Sequence, residues 1–133
     1  MNKPPRILIV DDFQSIRRVL GNTLTTHGFE ITEAENGKKA LDFLLGSNQP
    51  IDLILSDYNM PEMNGFEFLE SVKKSNSLKN IPFVLLTSET SREKMKEAKA
   101  AGLDAWIEKP YKIEAFITQI KYCIEKSQSN ESV

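Results

Sequence analysis

The chain has 133 residues, 40% hydrophobic and 27% charged, which fits one domain of ordinary composition with a real core. Its 17 Lys and Arg against 19 Asp and Glu give a net charge of −2, too balanced for nucleic-acid or anionic-membrane binding by charge alone. There is no apolar stretch of membrane-span length and no secretory signal in Met1-Asn2-Lys3-Pro4-Pro5. A single cysteine and a single histidine exclude an internal disulfide and a structural zinc site, so a reducing cytoplasm is the expected compartment.

Apolar runs and helical periodicities alternate along the chain. Arg6–Val10, bounded by Pro5 and Asp11, predicts a first strand. Ile16, Val19, Leu20 and Leu24 follow helical spacing, and Gly28 stops that helix. Glu30–Ala34 alternates and predicts a short second strand. Ala40, Leu41, Leu44 and Leu45 mark a helix between Asn36-Gly37 and Gly46. Asp52–Ser56 predicts strand three, and Phe66, Leu69 and Val72 share one face of a third helix. Pro82–Leu86 predicts strand four. Thr90-Ser91-Arg92-Glu93 has the form of a capping box, opening a helix that ends at Gly102. Ala105–Glu108 predicts strand five, and Ile113, Phe116, Ile117, Ile120 and Ile124 form an amphipathic stripe with Cys123 beside it as a small core residue. The expectation is a single domain, 1–133, ordered over about 5–126, with a frayed polar tail at 127–133.

Strands one, three and four are nearly all apolar, as strands covered on both faces are. Strict alternation with helices predicts right-handed crossovers and an α/β fold: a doubly wound, five-stranded parallel sheet between two helical layers. The common order for such a sheet is 2-1-3-4-5, with ligands at the carboxyl edge between strands one and three.

Asp11, Asp12 and Asp57 fall at that place. Two carboxylates about 4 Å apart repel by roughly 4 kcal/mol at an effective dielectric near 20, so the cluster calls for protons, a buried base or a divalent cation. Hard carboxylate oxygens favour Mg²⁺, which at such sites usually serves phosphate chemistry. Strand four ends in Thr87 and Ser88, and strand five leads into Lys109-Pro110. Acids, a hydroxyl and an ammonium on one rim suit phosphoryl transfer to a carboxylate. Taken singly, each residue has an ordinary reading: Asp12 as a helix cap, Thr87 as a turn residue, Lys109 as a surface charge. His27, before Gly28, is placed to meet the last carbonyls of its helix and is assigned no chemistry.

From about Pro5 to Lys126 the chain resembles the receiver domain of bacterial two-component response regulators. The resemblance rests on Val10-Asp11-Asp12, Ser56-Asp57-Tyr58-Asn59-Met60-Pro61, Gly65, Leu86-Thr87-Ser88 and Glu108-Lys109-Pro110. Val10-Asp11-Asp12-Phe13 with Ile16-Arg17-Arg18, Asn59 and Glu89 makes it most similar to the small CheY-type chemotaxis regulators. The resemblance implies that Asp57 accepts a phosphoryl group from a sensor histidine kinase. It implies direct Mg²⁺ binding by Asp12 and Asp57, Asp11 acting largely through water, and the backbone carbonyl of Asn59 as a further ligand. Lys109 and Thr87 would contact the phosphoryl group, and the Lys109-Pro110 bond would be cis. Asn59 and Glu89 would tune hydrolysis. Thr87 and Trp106 would form the switch, with Trp106 standing where the family usually has tyrosine or phenylalanine. Indole is larger than phenol and offers an N–H but no hydroxyl, so its inward burial is expected to be incomplete or the loop after strand four to move farther.

The expected function is a phosphorylation-operated switch with only self-phosphorylating and self-dephosphorylating chemistry. Its output would pass through protein contact at the fourth helix, fifth strand and fifth helix, without nucleic acid or membrane insertion. Alternatives are a stand-alone phosphorelay protein or a constitutive interaction module away from the flagellar motor. A haloacid-dehalogenase-type phosphatase would want Asp-x-Asp after strand one rather than Asp11-Asp12, and a flavin phosphate would be repelled by the acidic edge.

Overall fold

The computed structural model describes residues 3–131. Ten elements alternate in chain order: β1 (Arg6–Val10), α1 (Gln14–Thr26), β2 (Glu30–Ala34), α2 (Gly37–Gly46), β3 (Leu53–Ser56), α3 (Gly65–Lys74), β4 (Phe83–Thr87), α4 (Arg92–Ala100), β5 (Ala105–Glu108) and α5 (Ile113–Glu131). The strands form one sheet in the order β2-β1-β3-β4-β5. Every neighbouring pair is parallel. This is the predicted α/β architecture and strand order.

Apart from the half-buried Arg6 at the start of β1, the three central strands are buried throughout because alternate side chains feed two cores. Leu8, Val10, Ile54, Phe83 and Leu85 join Ala40 of α2, Phe68, Leu69 and Val72 of α3 and Ala98 of α4. Ile7, Ile9, Leu53, Leu55, Val84 and Leu86 join Leu20 and Leu24 of α1 and Phe116, Ile117, Ile120, Cys123 and Ile124 of α5. Helices α1 and α5 therefore cover one face of the sheet, and α2, α3 and α4 the other.

Several boundaries differ from the sequence reading. Strands β3 and β4 each begin one residue later than expected, and β4 reaches Thr87. The capping box expected at Thr90–Glu93 does not form. The cap is Ser91, whose hydroxyl accepts from Lys94 N–H. The reciprocal box lies instead at α3, where Asn64 and Glu67 satisfy each other's backbone N–H. Ile113, expected in the apolar stripe of α5, is half exposed in the first turn, ahead of the buried Phe116. The tail expected to fray from Ser127 is helical as far as Glu131, and Ser127 Oγ donates to the Asn80 carbonyl at 3.3 Å. Residues 132 and 133 lie outside the described residues. Gly28, with φ at 92°, stops α1 as predicted, and His27 Nδ1 lies 2.8 Å from the Thr23 carbonyl. No helix among the described residues is long and apolar enough to cross a membrane.

Phe68 is fully buried and meets Phe83 edge-on, with centroids 5.1 Å apart. Phe68→Ala leaves a cavity between α3 and β4 and is expected to cost about 3–5 kcal/mol, read from the shift of the urea unfolding midpoint.

Candidate functional site

The site is set by how β1 and β3 pair. Val10 lies across from Ser56, and the ladder runs one step farther, with Asp57 N–H donating to the Val10 carbonyl at 3.0 Å. On the other side Asp11 N–H reaches the Ala34 carbonyl of β2 at 3.3 Å. The backbone thus fixes Asp11 and Asp57 on neighbouring strand ends. One carboxylate oxygen from each of Asp11, Asp12 and Asp57 lies within 4.8 Å of the others.

The three acids are not equivalent. Asp11 is buried, and its Oδ1 accepts from Phe13 N–H at 2.9 Å. Burial raises the Asp11 carboxyl above its ordinary range. The Phe13 N–H opposes that shift, the Asp57 and Asp12 charges add to it, and the Lys109 charge opposes it. Asp12 does not cap α1. The N-cap position is Phe13, with no side-chain cap bond, and Asp12 Oδ1 is buried without a hydrogen-bond partner among the described residues. Asp57 is half-buried, and its Oδ1 accepts from Tyr58 N–H at 2.7 Å.

The remaining strand ends complete the rim. Thr87 is fully buried, and its Oγ1 accepts from Glu89 N–H at 3.1 Å. Lys109 N–H donates to the Thr87 carbonyl at 3.0 Å, and the Lys109-Pro110 bond is cis. Asn59 is exposed just beyond Asp57. Glu89, in the loop after β4, is held against the start of α4: Lys94 Nζ lies 3.2 Å from Oε2, and Ser91 N–H donates to Oε1 at 3.3 Å. The Lys94 bond and the Ser91 N–H hold the Glu89 carboxyl below its ordinary range. Trp106 is half-buried on β5, packed on Tyr58 with ring centroids 5.8 Å apart. Its Nε1 is buried without a partner among the described residues.

Three residues that sequence reasoning did not assign support this rim. Arg17 donates to the Asp11 carbonyl at 2.6 Å and to Glu33 Oε1 at 2.9 Å, clasping the turn after β1. Tyr58 links Asp57 to Trp106. Lys94 lies over the Tyr58 ring at 5.3 Å while it pairs with Glu89. The only signals in the sequence were an arginine one turn into α1 and a lysine in the first turn of α4, and neither pattern is specific.

The acidic cluster fits a hard divalent cation. It gathers oxygen donors, carries excess negative charge and holds a buried Asp12 oxygen that no N–H or O–H of the described residues satisfies.

The family model described as the response regulator receiver domain matches residues 7–121. Among curated relatives, the chain is 39% identical over 112 residues to chemotaxis protein CheY-3 of Vibrio cholerae, covering 84% of this chain and 85% of that one. It is 36% identical over 122 residues to chemotaxis protein CheY of Pseudomonas aeruginosa, covering 91% of this chain and 97% of that one. Among solved structures, Vibrio cholerae chemotaxis protein CheY4 superposes with a TM-score of 0.82 at 38% identity, covering 90% of this chain and 98% of that one.

Two outcomes follow from the site's geometry. Asp11→Asn keeps the oxygen that Phe13 N–H needs and removes one of the crowded charges. In chelator-treated protein at pH 7 it is expected to raise stability by about 1 kcal/mol in urea unfolding, with millimolar Mg²⁺ closing the gap. At Gly65 an added Cβ would lie 2.5 Å from the Asp57 carbonyl oxygen and 2.8 Å from Tyr58 Cα. Gly65→Ala is expected to cost about 1–3 kcal/mol and to shift the amide resonances of Asp57 and Tyr58.

Proposed function

The chain belongs to the response regulator receiver family, and from that premise we propose that Asp57 is its phosphoryl acceptor. The donor is a phosphohistidine on a sensor kinase, or a small acyl phosphate in its place. A carboxylate oxygen of Asp57 attacks phosphorus, the bond from phosphorus to the donor's imidazole nitrogen (or to the acyl oxygen) breaks, and its electron pair stays on that leaving atom. The product is a mixed anhydride on Asp57. Tyr58 N–H, donating to Oδ1, fixes the orientation of the attacking carboxylate.

Thr87 Oγ1 already accepts one hydrogen bond from Glu89 N–H, so its own hydrogen is free to donate to a phosphoryl oxygen. The Lys109 ammonium, whose charge acts on Asp11 across the rim, balances another. Asp12 and Asp57, with the Asn59 carbonyl, would hold Mg²⁺, and Asp11 would act largely through water. The cation supplies the positive charge that lets an anionic phosphoryl group approach three acids. Asn59 and Glu89 flank the pocket and tune hydrolysis of the anhydride.

Phosphorylation then biases two arrangements of the face formed by α4, β5 and α5, with Thr87 and Trp106 coupling pocket to face. Relatives named as chemotaxis proteins support a chemotaxis role in the cytoplasm, with a protein target on that face. One observation carries the reading most directly: three carboxylates converge, one with an unsatisfied buried oxygen, on the rim that also holds Thr87 and Lys109.

Incubation with Mg²⁺ and acetyl phosphate is expected to add one phosphoryl group, by intact-mass measurement, to the wild type and none to Asp57→Asn. Wild-type protein that stays unmodified by acetyl phosphate and by its cognate kinase overturns the reading.

A further inference from the structure

Lys94 stands where helix electrostatics disfavour it. It is the third residue of α4, at the positive end of the helix dipole, and its backbone N–H is the one capped by Ser91. A cation there needs partners, and it has two from different loops. Its ammonium lies 3.2 Å from Glu89 Oε2 in the loop after β4 and 5.3 Å from the centre of the Tyr58 ring in the loop after β3. Glu89 is in turn the residue whose N–H engages Thr87 Oγ1, and Tyr58 the one whose N–H engages Asp57 Oδ1. The path Thr87–Glu89–Lys94–Tyr58–Asp57 is therefore closed from one side of the candidate pocket to the other.

The geometry points to Lys94 as a positioning residue for the lifetime of the phosphoryl group: it straps the loop after β4 to Tyr58 and so limits the approach of water to Asp57. This inference rests on Asp57 being the acceptor. Hydrolysis adds a water oxygen to phosphorus and breaks the bond from phosphorus to the Asp57 oxygen. It returns the carboxylate and releases inorganic phosphate with the water's protons. Without the strap, Glu89 loses its ionic partner, residues 88–91 loosen, and the Thr87 hydroxyl loses the N–H that orients it. Lys94 and Glu89 keep side-chain exposures of 44% and 19%, so the pair is too wet to matter much for global stability. Its effect is local order at the pocket mouth.

The test is a set of decay curves for the phosphorylated full chain in Mg²⁺ after removal of acetyl phosphate. Lys94→Met and Glu89→Gln are each expected to shorten the lifetime by roughly threefold or more, and the double variant by no more than the larger single effect, because both break one link. Lys94→Arg, which keeps a cation for both partners, should return to within about twofold of wild type. Lys96→Met, exposed on the same helix, should decay as wild type does. Thermal midpoints should barely move across the set. Equal lifetimes for wild type and Lys94→Met, additive effects of the two single variants, or an arginine variant as short-lived as the methionine one would each overturn the role of Lys94 while leaving Asp57 as acceptor. Failure of the wild type to take up phosphate at all would remove both.

Discussion

Like-charge repulsion held in place by a backbone ladder is the constraint on which this molecule turns. Left to themselves, three carboxylates within 4.8 Å would move apart. They cannot, because Asp57 is tied to Val10, Asp11 to Ala34, and both strands are buried on two faces. Moving either acid would mean slipping a parallel register that seats Ile7 and Ile9 in one core and Leu8 and Val10 in the other. The apolar core therefore sustains the electrostatic strain, and a bound divalent cation would relieve it. Arg17 has the same effect from outside, donating to the Asp11 carbonyl while its guanidinium pairs with Glu33 on β2.

What the sequence revealed follows from how local the signals were. Strand order and the convergence of Asp11, Asp12 and Asp57 could be read in advance because buried parallel strands give unbroken apolar runs, and a doubly wound sheet has few topologies. β1, β2 and β5 were placed to the residue. The helix starts were less legible. Thr90 and Ser91 are both good cap residues in adjacent positions, and only the path of the loop after β4 selects Ser91. The Asn64–Glu67 box was overlooked among the Pro and Met residues of its loop. The helical run past Ser127 is accompanied by a bond from Ser127 to Asn80, 47 positions away, which no local pattern encodes. Lys94 and Arg17 owe their interest to partners on other elements, so spacing could not single them out.

Trp106 shows the limit of substituting one aromatic for another. Its ring has found a partner in Tyr58, yet its N–H is buried and unpaired among the described residues. A buried donor without an acceptor costs on the order of 1–3 kcal/mol, and a phenylalanine at this place would not incur it. That cost raises the energy of this arrangement relative to any in which the indole N–H meets water or a carbonyl. Under the proposed switch, the indole narrows the gap that phosphorylation has to bridge, while its bulk makes the inward path harder. Those effects oppose each other, and the Tyr58 contact, itself steadied by Lys94, decides how firmly the ring is held at the start.

The two edges of the sheet handle the same residue type in opposite ways. At the amino edge, Asp52 Oδ2 accepts from Arg6 N–H at 2.8 Å, and Asp104 Oδ2 accepts from Phe83 N–H at 2.8 Å with Lys73 3.5 Å away. Each aspartate there closes a strand ladder and meets a backbone donor. At the carboxyl edge, Asp12 has a buried oxygen with no such donor among the described residues, and the nearby acids compound the charge. Parallel strands make this division natural. All five strands end together, so side chains just beyond them crowd one rim, where an unsatisfied group can be aimed at a ligand. The aspartates of the amino edge stand apart from one another on backbone donors, whereas those of the carboxyl edge crowd together even though Asp11 and Asp57 each meet a backbone N–H. Charge-removing substitutions should therefore act with opposite sign on the fold at the two edges, stabilising at the carboxyl edge and destabilising at the amino edge.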